Sequence, residues 1–399
     1  PMPPLAATTD SQRNRATQWL YDSRFRSVVA QSLVVGIVAW GFWYLASNTQ
    51  ENMARRGLST GFDFVFGTAG FDISWSLFEV KAGATYLDVY TVGIVNTLVV
   101  SILSIFFATV LGFTVGILRL SGNWLVSRLA GWYIEVLRNT PLLLQIFFWF
   151  IGVFTGLPPP RQSYQPIEGF VLNNRGFFMP SPVAGEGLWM TGLAFLAGCI
   201  AAIVLHRWAR ARQAATGRRF PSVLAGIGIV AAATGIVFVA TGMPLSWNVP
   251  KLRGFNFTGG MTVPPAFCAL LIALSVYTSC FIAEMVRAGI QSVSHGQTEA
   301  SFALGLKPSW TTRLVIVPQA MRAIIPPLIS SYLNVTKNSS LAVAIGYPDL
   351  VAVWMQTSLN QSGRAIEIVA TTMLFYMTCS LTISLLLNVY NRRMQLRER

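Results

Sequence analysis

Long apolar runs separated by short polar segments dominate the chain. A helix crossing a bilayer core takes about 20 apolar residues. The first such run covers 27–46. Four arginines (Arg13, Arg15, Arg24 and Arg26) precede it and no cleavage-site pattern follows, so it reads as a retained helix. The second run, about 86–118, exceeds a straight crossing and predicts a tilted or protruding helix. The third, about 126–155, holds Asn139-Thr140-Pro141 in its middle. Pro141 lacks a backbone donor, which predicts a kink or break there. Further runs cover 188–206, 222–243 and 264–288. A seventh starts near Pro318 and weakens over Asn334–Ser340, and the last covers 366–388. The pattern predicts an all-α polytopic membrane protein with about eight transmembrane helices.

Charge orients these segments. With both termini on the inner side, 20 of the 29 Lys and Arg fall on inner loops and inner helix ends, five of them in the 207–221 turn. That bias predicts cytoplasmic termini. The net charge of +14 therefore marks membrane sidedness rather than a phosphate-binding face, and nucleic acid is not an expected partner. Only 11% of residues are charged while 53% are hydrophobic, with a mean hydropathy of +0.54, too few charges to cover a soluble protein of 399 residues. The two loops on the expected outer side differ in character. Residues 48–83 are rich in aromatics and glycine and suggest an amphipathic surface helix. Residues 156–187 carry Pro158-Pro159-Pro160, Asn173-Asn174 and several glycines, and read as an ordered external loop.

Several chemistries are missing. Four scattered cysteines suggest no disulfide framework, and His206 and His295 are isolated, so neither a metal site nor a catalytic set is expected. None of the four lysines follows a glycine, which excludes a phosphate-binding ATPase loop. Ion coupling calls for carboxylates in the membrane. The candidates Asp88, Glu135, Glu284 and Glu367 sit near predicted helix ends, where interfacial pairing with arginines is the plainer reading.

The segment between the sixth and seventh helices is more specific. Residues 298–304 read as a short helix that Gly305 ends in the left-handed conformation, after which Pro308 and Ser309 start another. A short exposed helix carrying Ala300, Phe302 and Ala303 is suited to another protein's groove. This loop resembles the motif of ABC-type binding-protein-dependent permeases: Glu-Ala-Ala, three residues, Gly, nine residues, then Ile-x-Leu-Pro. Here Glu299, Ala300, Ser301, Gly305, Val315, Val317 and Pro318 occupy those positions, with serine in place of the second alanine and two valines as departures. The segments EVLRNTPLLLQIFFWF, FIAEMVRAGIQSV and NVTKNSSLAVAIGYPDL are similar to the polar amino-acid branch. The extra segments match the larger, Q-type subunit of general L-amino-acid uptake systems.

The resemblance implies a type I ABC importer permease core of about five helices with extra helices, in a bacterial inner membrane. It implies no cofactor in this chain, with ATP and Mg on a partner ATPase. The implied partners are a second homologous permease in a heterodimer, two ATPase subunits and a periplasmic amino-acid-binding protein, with membrane lipid around them. The expected organisation is an N-terminal tail, first helix and periplasmic loop over 1–83, a transmembrane domain over 84–390 with an insertion at 156–243, and a basic tail over 391–399. Candidate pathway residues are Asn96, Gln145, Asn334, Lys337, Asn338 and Ser339. The 334–340 stretch is either an unwound helix lining a cavity or a turn that caps it, because polar backbone cannot face lipid. An ion-coupled secondary transporter or channel is the alternative function.

Overall fold

The computed structural model describes residues 23–55, 61–78, 80 and 83–394, so Arg13, Arg15 and the end of the basic tail lie outside the described residues. The fold is mostly helical. Helix α1 (Ser23–Arg55) is apolar over its middle and buries no residue. A helix apolar on all sides with no protein neighbour is suited to lipid. Helix α2 (Tyr86–Arg119) starts at a capping box, in which the Asp88 N–H donates to Thr85 Oγ1 at 3.3 Å and the Thr85 N–H donates to Asp88 Oδ2 at 2.8 Å.

The third apolar run breaks where expected. Helix α3 (Trp124–Asn139) and helix α4 (Leu142–Phe147), which continues as a π-helical turn over Phe148–Phe154, are bent by 103° about Thr140-Pro141. Near its start, α3 packs Gly131 against the guanidinium of Arg119, and Arg119 Nη1 donates to the Ser127 carbonyl at 3.0 Å. At the other end, Phe154 joins the cluster of Ala266 and Phe267. The bent pair thus runs between opposite ends of the bundle, and among the described residues seven helices are long and apolar enough to cross a membrane, eight if this pair counts as one span.

Helices α5 (Leu188–Thr216) and α6 (Ser222–Ala240) pack chiefly on each other, Gly198 against Val230 and Gly226 against Ala202. The core forms instead around α2 and α7 (Pro265–Gln291). Ser104, Ala108, Gly112 and Gly116 recur every four residues along the buried face of α2. A Cβ on Gly112 would lie 2.6 Å from Ile282, and one on Gly116 would lie 2.7 Å from the Ala283 carbonyl. Small residues let the two backbones approach where lipid offers no hydrophobic drive to association. Helix α8 (His295–Ala303) and helix α9 (Pro308–Thr311) follow, then a π-helical turn over Thr312–Ile316 leads into α10 (Val317–Asn338).

Three expectations change. First, the segments over 164–184 and 245–263 form eight short strands. β1 (Tyr164–Ile167), β2 (Phe170–Asn173), β3 (Gly176–Met179) and β8 (Met261–Val263) make one antiparallel sheet. β4 (Ser181–Ala184) pairs with β5 (Leu245–Asn248), and β6 (Lys251–Arg253) with β7 (Asn256–Thr258). Because β3 pairs with β8 and β4 with β5, the segments after α4 and α6 lie at one end of the bundle. Trp75 joins them there by donating Nε1–H to the Thr262 carbonyl at 2.8 Å. Second, residues 61–78 form no amphipathic helix. They fold as turns with one 3₁₀ segment (Asp63–Phe66), and Phe64 stacks on Trp354 with ring centres 5.9 Å apart. Of the aromatics that suggested a membrane-surface helix, Phe64, Phe71 and Trp75 pack on protein, while Phe62, Phe66 and Phe78 are exposed.

Third, α10 does not unwind at Asn334–Ser340. It stays α-helical through Pro326, Pro327 and on to Asn338, and tightens to a 3₁₀ helix only over Ser339–Ile345. The chain reverses beyond it, at Gly346 (φ +70°), into a π-helical stretch (Val351–Ser358), the short α11 (Leu359–Ser362) and the long α12 (Ala365–Met394). The seryl and threonyl side chains that weaken the apolar run satisfy themselves within the helix: Ser339 Oγ donates to the Thr336 carbonyl at 2.7 Å and Thr336 Oγ1 to the Tyr332 carbonyl at 3.2 Å.

Candidate functional site

Two places gather the predicted residues, one at each of two levels of the bundle. At the end opposite the sheets, α8 projects as a nine-residue helix. Its C-terminus closes as a Schellman motif: the Leu306 N–H donates to the Ser301 carbonyl at 3.1 Å, the Gly305 N–H to the Phe302 carbonyl at 2.9 Å, and Gly305 has φ +76°. The left-handed cap read from the sequence is present. Ser301, where the motif has alanine, is 3% exposed, and its hydroxyl donates to the Thr298 carbonyl at 2.8 Å. A serine whose proton is satisfied three residues back fits a buried alanine position at little cost. Gln319 Nε2 donates to Gln297 Oε1 at 3.3 Å and ties α8 to α10.

The outer face of this loop is open to solvent among the described residues. Glu299 and His295 lie 3.0 Å apart, with side chains 70% and 85% exposed. Ala300 is exposed beside them, and Phe302, Leu304, Trp310 and Leu314 stand out of the same loop, Leu304 at 80% exposure. Val315 and Pro318 are half-buried at the joint between the π-helical turn and α10, and Val317 is exposed. Clustered exposed aromatic and aliphatic side chains around one acid are the kind of surface suited to docking.

The second place is a groove of about 320 Å³ between α7 and α10, lined by Tyr277, Thr278, Phe281, Ser331, Asn334 and Asn338 among others. Of the pathway candidates only Asn334 and Asn338 reach it. Lys337 is exposed outside the groove and Ser339 is buried. Gln145 has another duty: its Nε2 donates to the carbonyls of Leu137 and Thr140, at 2.9 and 3.0 Å, and satisfies the backbone opened by Pro141. Asn96 is fully buried and donates to the carbonyls of Trp75 and Pro348. Reading Asn96 and Gln145 as pathway residues treated buried amides as ligand groups where they are backbone clamps. The groove residues missing from the sequence reading, Ser330 and Ser331, were legible in principle: Pro327, Ser331, Asn334 and Asn338 recur at helical spacing on one face of α10.

Three of the four candidate carboxylates are engaged. Asp88 belongs to the α2 cap, Glu284 is held by Arg287 through a bidentate pair, and Glu367 accepts the Gly61 N–H at 2.7 Å. Glu135 is exposed on α3. These contacts leave the ion-coupled alternative without support from Asp88, Glu284 and Glu367.

Asp349 was missed. It sits fully buried in the reversal between α10 and α12, accepting the Ala352 N–H at 2.9 Å, while Leu350 N–H donates to Thr97 Oγ1 and Tyr347 Oη to the Asn96 carbonyl. Burial pushes its pKa up to about 7. A carboxyl with a folded pKa above its unfolded value of about 3.9 holds its proton more tightly when folded, so stability falls as pH rises between the two. The thermal unfolding midpoint should therefore drop from about pH 5 to about pH 8 relative to an Asp349→Asn variant. Parallel curves for the two proteins would contradict this.

With this geometry in view, the comparisons are informative. Residues 108–396 match the family model described as binding-protein-dependent transport system inner membrane component. The general L-amino acid transport system permease protein AapQ of Rhizobium johnstonii is 49% identical, covering 95% of each chain. The putative amino-acid ABC transporter permease protein YhdX of Escherichia coli is 49% identical over 96% of this chain and 95% of its own. The glutamate/glutamine/aspartate/asparagine transport system permease protein BztB of Rhodobacter capsulatus is 39% identical over 99% of this chain and 100% of its own.

Proposed function

Because the chain belongs to the family of binding-protein-dependent transport system inner membrane components, we propose that it forms one half of the path by which amino acids, polar L-amino acids across a broad range, enter the cytoplasm. It is the multi-pass permease subunit of an ATP-driven importer. The observation that carries the reading is the exposed α8 loop, a capped helix presenting Glu299 and a rim of apolar side chains that none of the described residues covers. An ATPase subunit is the occupant that this surface suits, with ATP and Mg bound there and not on this chain.

In this account two ATPase subunits serve a heterodimer of this chain and a second homologous permease, and a periplasmic amino-acid-binding protein delivers substrate at the sheet end. The Asn334 and Asn338 amides face the groove where a zwitterion would pass. Both termini lie in the cytoplasm, on the side of the arginine-rich 207–221 turn. A cysteine at Gln213, in a background without the native thiols, should resist a membrane-impermeant maleimide added to intact cells and react after lysis; ready labelling in intact cells would reverse the orientation. The function is tested by uptake of a panel of labelled amino acids into vesicles carrying the whole assembly. Uptake of several polar amino acids that stops without the binding protein supports it, and uptake independent of ATP contradicts it.

A further inference from the structure

A second groove is remote from the proposed path. It is an open groove of about 890 Å³ along the seam of α5 and α6, the helix pair that packs chiefly on itself. Its walls are apolar, with Phe195, Cys199, Ile203, Ile227, Val230 and Ala231. One end is polar: Arg207 and Arg210 border it, and His206 Nδ1 and Ser222 Oγ lie 3.0 Å apart across the helix pair.

Three observations say what fits there. The first is depth. Trp208 and Phe220 pack edge to face, 5.9 Å between ring centres, and Arg212 lies over the Trp208 ring at 5.2 Å. An aromatic pair of this kind among cations marks the headgroup level of a bilayer. The second is length. From Ser222 to Thr234 the groove follows α6 for about 18 Å at about 1.5 Å per residue, close to the thickness of one leaflet, about half of a 30 Å hydrocarbon core. The third is charge. No Asp or Glu occurs from Gly187 to Ala283, and no ion pair among the described residues involves Arg207 or Arg210. Two guanidiniums at headgroup height above an apolar trough one leaflet deep lack an anion, and the membrane supplies one.

We propose that the α5–α6 seam is a binding site for an anionic phospholipid, its phosphate between Arg207 and Arg210 and an acyl chain along the apolar walls. The site would tether the helix pair to the leaflet on the side of the 207–221 turn. It does not depend on the transport reading.

The test is native mass spectrometry of the full-length permease, delipidated in neutral detergent and titrated with dioleoylphosphatidylglycerol, dioleoylphosphatidylcholine or inorganic phosphate. The wild type should retain phosphatidylglycerol about thirtyfold more tightly than phosphatidylcholine, the worth of two basic residues near one anionic headgroup. Phosphate alone should give no adduct. Arg207→Gln with Arg210→Gln should erase the preference, and the matching pair of lysine substitutions should keep it. Ala231→Trp fills the trough without touching the cations and should weaken both lipids alike. Equal retention of the two lipids by the wild type, or an unchanged preference in the glutamine variant, would overturn the proposal. So would cross-linking of Cys199 to a protein segment in the assembled complex, which would assign the groove to a helix instead.

Discussion

Glu299→Lys should leave the permease in the membrane at near wild-type level and remove the ATPase from it. Glu299 stands on a helix whose fold rests on other groups: the Ser301, Phe302 and Gly305 backbone closes the cap, and Ser301 faces inward. Among the described residues its partner is His295, on the same helix and likewise open to solvent. Changing the charge therefore disturbs little within the chain. In an ATPase groove the carboxylate would be desolvated and met by a basic or hydrogen-bonding group. A lysine there sets like charges together and strands the partner, a cost of about 2–5 kcal/mol. At about 1.4 kcal/mol per tenfold, that weakens association by about thirtyfold to several thousandfold. Co-purification of the ATPase with the mutant permease is the measurement. Full recovery of the ATPase together with normal uptake would make Glu299 a solvated loop acid.

Asn334→Ala and Asn338→Ala should each lower uptake by more than about tenfold and alter the order of preference among amino acids, with the ATPase still bound. Four residues apart on α10, both amides face the groove against Tyr277 and Thr278 of α7. A hydrogen bond to a charged group contributes about 1.5–3 kcal/mol, so the loss of one amide toward a zwitterion exceeds a tenfold effect. Lys337→Ala, outside the groove, should change uptake less than either. Uptake unchanged across the amino-acid panel in both asparagine variants would remove the groove from the path.

How much of this was legible depended on the range of the interactions. Apolar runs, the Pro141 break, the Gly305 cap and the Pro308 start are set by residues within one or two turns, and the sequence displays them. The sheets are not local: β3 meets β8 and β4 meets β5 only after an intervening helix pair has brought the two segments back together, and strands of three or four residues carry no periodicity to read. The polar interruption at Asn334–Ser340 was ambiguous for a different reason. A hydroxyl in an apolar helix can open the backbone to a ligand or bond its own preceding turn, and Thr336 and Ser339 do the latter. Asn96 and Gln145 show the same ambiguity at longer range. Each is a buried amide in a membrane helix, and only the positions of Pro348, Leu137 and Thr140 reveal that backbone carbonyls take their N–H donors. Asp349 carried no local signal; its burial follows from the reversal after Gly346 folding onto α2.

The central claim is that this chain moves substrate only when a docked ATPase turns over. The direct measurement is ATP hydrolysis by the complete assembly in proteoliposomes, with and without amino acid and the binding protein, set beside the same assembly carrying Glu299→Lys. The account predicts hydrolysis that rises with liganded binding protein in the wild type and stays at the unstimulated level in the variant. Amino-acid uptake by the chain driven by an ion gradient, with no ATPase present, would contradict it.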